Sequence, residues 1–144
     1  MVATIGVLVL VAGLVAWVGQ GLAFFLPEAA VRLGVLEPED EIDPTLFVVE
    51  TRAMGLSDLL LAWTLPASAF LMLVGHPSWP YLALIGSGIF AYFSFVTSLS
   101  RFFLKKRGKM VGRPTSERAA YVAGAVWIVC SLAMITLAVA EIRS

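Results

Sequence analysis

Long apolar stretches alternate with short polar ones along this chain, and the pattern predicts four membrane-spanning helices. The apolar stretches cover residues of about 2–26, 46–75, 80–104 and 117–140. A helix of roughly 20 apolar residues crosses the ~30 Å hydrocarbon core of a bilayer. No basic residue precedes the first stretch, which continues past Phe25, so we expect it to be retained rather than cleaved as a signal. Because four such helices use most of the 144 residues, the pattern predicts one all-α, four-helix transmembrane bundle without a separate soluble domain.

Prolines and polar residues mark where the predicted helices begin, bend and end. A proline opens segment 27–36, where we expect a short helix at the membrane surface. Asp43 followed by Pro44 is typical of a helix start in which the aspartate is the N-cap. Pro66 predicts a kink in the second spanning helix, because proline removes a backbone hydrogen bond. The turn at 76–80, HPSWP, is short and allows only an antiparallel hairpin.

Composition and charge support a membrane protein and predict its orientation. Hydrophobic residues make up 60% of the chain and charged residues only 14%. Five acids lie within 37–43, and seven of the ten basic residues lie within 101–118. The positive-inside rule then places these two connections in the cytoplasm and both termini on the non-cytoplasmic side. We expect the acidic and basic loops to pair there, through exposed ion pairs worth at most about 1 kcal/mol each.

Asp58 carries the clearest chemical signal, because a carboxylate in hydrocarbon needs a partner, water or a proton. At a similar depth the third helix presents a polar stripe, with residues at i, i+3, i+4 and i+7 on one helical face. The stripe consists of Ser94, Thr97, Ser98 and Arg101. One interpretation is a polar pocket that holds a ligand headgroup, a proton or an ion. The alternative is a structural cluster that joins two helices, such as an ion pair between Asp58 and Arg101.

Helical geometry separates the other two charges of the second helix. Glu50 and Arg52 point about 200° apart, whereas Glu50 and Asp58 lie about 80° apart, at about 100° per residue. We therefore expect Glu50 to face the bundle obliquely and Arg52 to reach the membrane interface. Four further side chains are candidates for the wall of a ligand pocket: Trp17, Gln20, Trp63 and Tyr92. The alternative for the aromatic ones is ordinary packing or an interfacial belt.

The remaining residues indicate no enzyme motif. Because His76 is the only histidine and Cys130 the only cysteine, the sequence predicts neither a metal site nor an internal disulfide. Ala83, Ser87 and Ala91 form a small-residue face that permits close helix contact, inside the bundle or with an external partner. Topology explains the basic run, so nucleic-acid binding is not expected. We assign no catalytic residue, metal ligand or cofactor.

Two segments of the chain carry a resemblance to a known group of membrane proteins. The first is FFLPEAAVRLGVL, Phe24 to Leu36, and the second is ETRAMG, Glu50 to Gly55. Together they resemble small four-helix bacterial membrane proteins of the DoxX-like group, which share no settled activity. The group often has a second glycine where this chain has Leu56. The resemblance implies the four-helix fold, a bacterial inner membrane and a role for Glu50 and Arg52.

These observations lead to three functional hypotheses. The first is a binding or accessory membrane protein, rather than an enzyme, that holds a lipid-like or quinone-like molecule in the cytoplasmic half of the bundle. Its predicted ligand-binding residues are Glu50, Arg52, Asp58, Ser94, Thr97 and Arg101, with Trp17, Trp63 and Tyr92 beside the apolar part of the ligand. The alternatives are a structural subunit of a larger membrane complex and a proton-coupled enzyme or transporter that uses Asp58. The expected partners are membrane lipids, a hydrophobic small molecule, and a membrane protein or a second copy of the chain.

Overall fold

The computed structural model describes residues 2–144 and confirms an all-α, four-helix bundle over that range. Four helices are long and apolar enough to cross a membrane, so the chain is an integral membrane protein. They are α1 (Val2–Phe25), α3 (Pro44–Leu73), α4 (Trp79–Lys106) and α5 (Pro114–Arg143), and the short helix α2 (Pro27–Arg32) follows α1. The fourth spanning helix begins three residues before its predicted start, because a proline suits its first turn.

The second spanning helix, α3, is irregular at two places. It starts as predicted at an N-cap, where the Asp43 carboxylate accepts a hydrogen bond from the Thr45 amide at 3.0 Å. A π-helical segment, Val49–Met54, follows the first turn. The α-helical pattern is interrupted again at residues 62–63, four residues before Pro66. Pro66 has no N–H to bond the preceding turn, which accounts for the interruption at the place where a kink was predicted.

Spanning helices that follow each other in the sequence also pack beside each other in the bundle. Helix α1 packs along α3, α3 along α4 and α4 along α5, whereas α1 and α5 meet over a much shorter stretch. Helices α3 and α4 approach closely at Gly86, because a Cβ added there would lie 2.6 Å from the Leu65 backbone nitrogen. Ala83 and Ser87 are also fully buried. The small-residue face of α4 therefore serves contacts inside the bundle.

The acidic and basic connections meet at one end of the bundle, as predicted. An isolated antiparallel bridge joins Ile42 to Val111, and the Asp43 amide donates to the Met110 carbonyl at 2.8 Å. Two ion pairs add to this backbone contact, Lys109 with Asp43 at 3.1 Å and Arg113 with Glu41. We call this end, formed by residues 37–43 and 107–113, the charged end.

The ion pairs of the charged end shift the pKa values of their members. A hydrogen bond from Lys109 holds the pKa of the Asp43 carboxyl below its usual value. Glu41 raises the pKa of the Arg113 guanidinium through their hydrogen bond. The Asp43 carboxylate and the Arg113 guanidinium are therefore charged at neutral pH. Their ion pairs join the two loops that border the gap between α1 and α5.

Candidate binding cleft

A cleft of about 580 Å³ lies between α1 and α5 at the charged end. It occupies the part of the bundle where these two helices do not pack against each other. Its walls consist mainly of small side chains, among them Ala16 and Gly19 from α1 and Ala120 and Ala123 from α5. Because glycine and alanine leave space that larger side chains would fill, the sequence of these two helices creates the cleft.

Polar residues border the outer rim of the cleft. They come from the segment after α2 and from the start of α5, and they are Glu37, Arg113, Thr115 and Ser116. The segment after α2 is held in place by apolar packing, because Ala23, Ala30 and Leu36 form a small buried cluster. The cleft thus has a polar rim, apolar walls and a fixed entrance.

A buried ion pair forms part of the floor of the cleft. Arg101 binds Glu50 with both terminal nitrogens, and its Nη2 donates to Glu50 Oε2 at 3.0 Å. Only 8% of the Arg101 side chain and 11% of the Glu50 side chain are exposed. The Nε of Arg101 is also buried and has no hydrogen-bond partner among the described residues.

The partner of Arg101 differs from the predicted one. An Asp58–Arg101 pair was the structural alternative from the sequence, with Glu50 only oblique to the bundle. Glu50 lies within the π-helical segment Val49–Met54, where the i→i+5 pattern breaks the regular 100° progression. The angle of 80° calculated between Glu50 and Asp58 therefore does not apply, and Glu50 faces α4 directly.

Asp58 lies deeper in the bundle beside a second, smaller cavity. The residue is 5% exposed, and its Oδ1 atom has no hydrogen-bond partner among the described residues. The cavity has a volume of about 30 Å³, and Gln20, Ser94 and Thr97 also line it. Gln20 and Thr97 line the large cleft as well, so the two cavities adjoin each other.

The predicted polar stripe of α4 faces the interior, but its members have different neighbours. Ser94 and Thr97 line the cavity beside Asp58, and Ser94 donates to the Phe90 carbonyl at 2.6 Å. Arg101 reaches Glu50 instead. Ser98 points to α5, where its Oγ would lie 2.9 Å from a Cβ added to Gly124.

Four of the predicted ligand-binding residues do not line either cavity. Arg52 donates to the Phe24 carbonyl at 3.2 Å and lies over the Phe24 ring. Trp17 donates to the Leu59 carbonyl at 3.0 Å and packs between α1 and α3. Trp63 and Tyr92 are 45% and 65% exposed on the outside of the bundle.

The aromatic residue that does line both cavities is Trp127 of α5, which the sequence analysis did not single out. Its ring packs edge-on against Phe90, with centroids 6.4 Å apart. A sequence pattern that could have indicated Trp127 is the row of small residues on the same face of α5, Ala120 and Ala123, which Trp127 follows at helical spacing. A face of small residues beside one large aromatic side chain is typical of a wall that leaves space.

Comparisons with protein-family models, with curated proteins and with solved structures found no match for this chain. Within residues 2–144, no group of three or more His, Cys, Asp and Glu residues is placed to hold a metal ion. The interpretation of the cleft therefore depends on its own geometry and chemistry.

Proposed function

We propose that this membrane protein binds a lipid-like or quinone-like amphiphile in the cleft between α1 and α5. The observation that supports the proposal most is the order of the surfaces, from a polar rim through apolar walls to a polar floor. An amphiphile with a carbonyl or anionic head would place that head near the floor and its apolar part along the walls. The volume of about 580 Å³ lies within the range of roughly 300–1,000 Å³ that small-molecule sites occupy.

The floor offers hydrogen-bond donors to such a head. Arg101 lines the cleft, and Glu50 takes only one N–H from each of its two terminal nitrogens, so the guanidinium keeps further N–H groups without a partner among the described residues. Gln20 and Thr97 add an amide and a hydroxyl group. A carbonyl oxygen accepts hydrogen bonds from all three kinds of donor, which favours a quinone-like or ester-containing head.

The position of the cleft suits a ligand that arrives from the bilayer. The cleft lies on the side of the bundle where α1 and α5 are least in contact, and two of its lining residues, Val15 and Ala119, are exposed. A hydrophobic molecule therefore has a lateral route from the hydrocarbon region. Seven of the ten basic residues lie within 101–118, so we propose that the charged end faces the cytoplasm. The resemblance to the DoxX-like group implies the inner membrane of a bacterium.

Filling part of the cleft with a larger side chain tests this proposal directly. Ala120→Leu places a larger side chain on the cleft wall, whereas Ala125→Leu makes the same change on an exposed surface of the same helix that does not line the cleft. Wild type and both variants are purified in a mild detergent, and their co-purified small molecules are extracted and quantified by mass spectrometry.

We expect one class of amphiphile to be enriched over bulk lipid in wild type and in Ala125→Leu. In Ala120→Leu the enrichment should fall at least about tenfold, the effect of about 1.4 kcal/mol in binding free energy. Bulk lipid in the same proportions from all three proteins would refute the proposal.

A further inference from the structure

We propose that Asp58 is a reversible proton-binding site that exchanges its proton with water at the charged end through the small cavity and the cleft. The proposal goes beyond the amphiphile site, because the route needs only water in the cleft, and a bound amphiphile would occupy part of the same route. The step is a protonation in which an O–H bond forms at the carboxylate while a hydronium ion becomes water. Deprotonation follows the same route in reverse.

The surroundings of Asp58 contain no other titratable group. Helix α1 contributes Ala16 and Gln20 to its cavity and has no charged residue, and α5 contributes only Trp127. The fourth helix contributes Ser94 and Thr97, together with the apolar rings of Phe90 and Phe93, and α3 itself adds Ala62. No neighbour therefore supplies a counter-charge, and a carboxylate in such a place is satisfied only by water or a proton.

The other charged residues of α3, and Arg101 of α4, have partners of their own: Glu50 pairs with Arg101, and Arg52 donates to the Phe24 carbonyl. Eight residues separate Glu50 from Asp58, which is roughly 12 Å along a helix at about 1.5 Å per residue. The positive charge of Arg101 is thus neutralised by its own partner and does not fix the protonation state of Asp58.

The cavity beside Asp58 has room for water and the polar groups that water needs. Its volume of about 30 Å³ exceeds the ~10–15 Å³ that one water molecule requires. The Asp58 carboxylate, the Gln20 amide and the Thr97 hydroxyl supply three hydrogen-bonding groups around it. Since Gln20 and Thr97 also line the large cleft, one ordered water connects Asp58 to a space that opens at the polar rim.

The other side of Asp58 is closed. Towards the 76–80 turn the core consists of apolar side chains, including Leu65 and Phe90, and of the uncharged hydroxyl groups of Ser87 and Ser131. Neither described cavity includes these two serines. The geometry thus gives Asp58 access to water from the charged end, and neither of the two cavities extends towards the 76–80 turn.

Infrared difference spectroscopy of the full chain in lipid vesicles tests the proposal. The carbonyl stretch of a protonated carboxylic acid is recorded across the accessible pH range and after transfer into heavy water. Asp58→Asn removes the acid with little change in size, and Glu50→Gln identifies any signal from the second buried acid. Gln20→Leu places an apolar side chain at the junction of the two cavities, and Gly88→Ala, at a position with no atom within 4 Å, is its control.

We expect a carboxylic acid band that appears and disappears reversibly with pH, persists in Glu50→Gln and is missing in Asp58→Asn. Gln20→Leu should slow hydrogen–deuterium exchange of this band at least about tenfold relative to wild type and to Gly88→Ala. The proposal is overturned if no band depends on Asp58 or if its band does not change with pH. Equal exchange rates in Gln20→Leu and Gly88→Ala overturn the proposed route.

Discussion

Replacing Glu50 with glutamine should destabilise the bundle far more than replacing an exposed glutamate. The change removes the counter-charge of Arg101, whose side chain is 8% exposed. Removing one partner of a buried ion pair costs about 3–5 kcal/mol, because the other charge stays buried without compensation. Glutamine keeps one acceptor oxygen for the guanidinium, so we expect the lower end of this range, about 3 kcal/mol.

Thermal unfolding in detergent, monitored through the circular dichroism of the helices, measures this loss of stability. At roughly 2–4 °C per kcal/mol for a chain of this size, the midpoint should fall by about 6–12 °C. The difference in unfolding midpoint between wild type and Glu50→Gln should persist at high salt, because salt screens buried ion pairs less than exposed ones.

Glu28→Gln is the matched control for this change. Glu28 also pairs with an arginine, Arg32, but at 3.9 Å and with side chains that are 90% and 82% exposed. Such exposed pairs contribute about 0–1 kcal/mol, so the control should shift the midpoint by no more than about 4 °C.

The double variant Glu50→Leu/Arg101→Met separates a lost pair from a disturbed helix contact. Replacing both members of a buried pair by apolar residues is often neutral or stabilising, so most of the deficit of Glu50→Gln should be restored. The reasoning is refuted if Glu50→Gln shifts the midpoint no more than Glu28→Gln, or if the double variant is less stable than Glu50→Gln.

Two further predictions concern the helix contact inside the bundle and the charged end. Gly86→Ala should lower the free energy of unfolding by about 1–3 kcal/mol through overpacking, because the new Cβ would lie 2.6 Å from the Leu65 nitrogen. Gly88→Ala adds a methyl group in open space and should leave the unfolding midpoint unchanged or slightly raised. Equal effects of the two variants would contradict the close contact. Lys109 lowers the folded-state pKa of Asp43. The ionised carboxylate therefore stabilises the fold at pH values above the unfolded-state pKa of Asp43, about 3.9. This contribution to stability is lost as the pH falls through the folded-state pKa. The wild-type midpoint should therefore fall more steeply than that of Asp43→Asn below about pH 4, and parallel curves would show that the Asp43–Lys109 pair does not contribute.

Local signals in the sequence were sufficient for the helices and the pairing of the loops. The spans follow from apolar length, the start of α3 from Asp43 and Pro44, and its bend from Pro66. Apolar length is a property of a single segment, and the cap and the proline each act within about one helical turn, so no knowledge of the neighbouring helices is needed. The contact between the acidic and basic loops also follows, because four antiparallel spans bring both connections to the same end.

The partner of Arg101 could not be predicted in the same way. The π-helical segment Val49–Met54 depends on how α3 packs against its neighbours, and no residue pattern announces it. Asp58 was the predicted partner because it lies at a similar depth to the polar stripe of α4, and the angle calculated for a regular helix made Glu50 only oblique to the bundle. An irregularity of one turn was enough to change which acid pairs with the arginine.

Trp17, Trp63 and Tyr92 were predicted to line a ligand pocket because they are aromatic. Helical angles alone would have excluded two of them from the interior of the bundle. Trp63 follows Asp58 by five residues, so the two side chains point about 140° apart, and Tyr92 points about 200° away from Ser94. Both are exposed on the outer surface. The cleft itself was less accessible to prediction, because it depends on where α1 and α5 fail to meet.

The proposed amphiphile site gives a reason for the Glu50–Arg101 pair that stability alone does not. Apolar side chains of similar volume would join α3 and α4 as well as the Glu50–Arg101 pair, but they would offer no donor to a polar head. Because Glu50 neutralises Arg101, the floor can present an N–H group without an uncompensated charge when no ligand is bound. Asp58 has no such partner and only a water-sized cavity, which supports a proton-exchanging role rather than a fixed one. The two acids should therefore respond differently, with Glu50→Gln lowering the unfolding midpoint and Asp58→Asn mainly removing the infrared band.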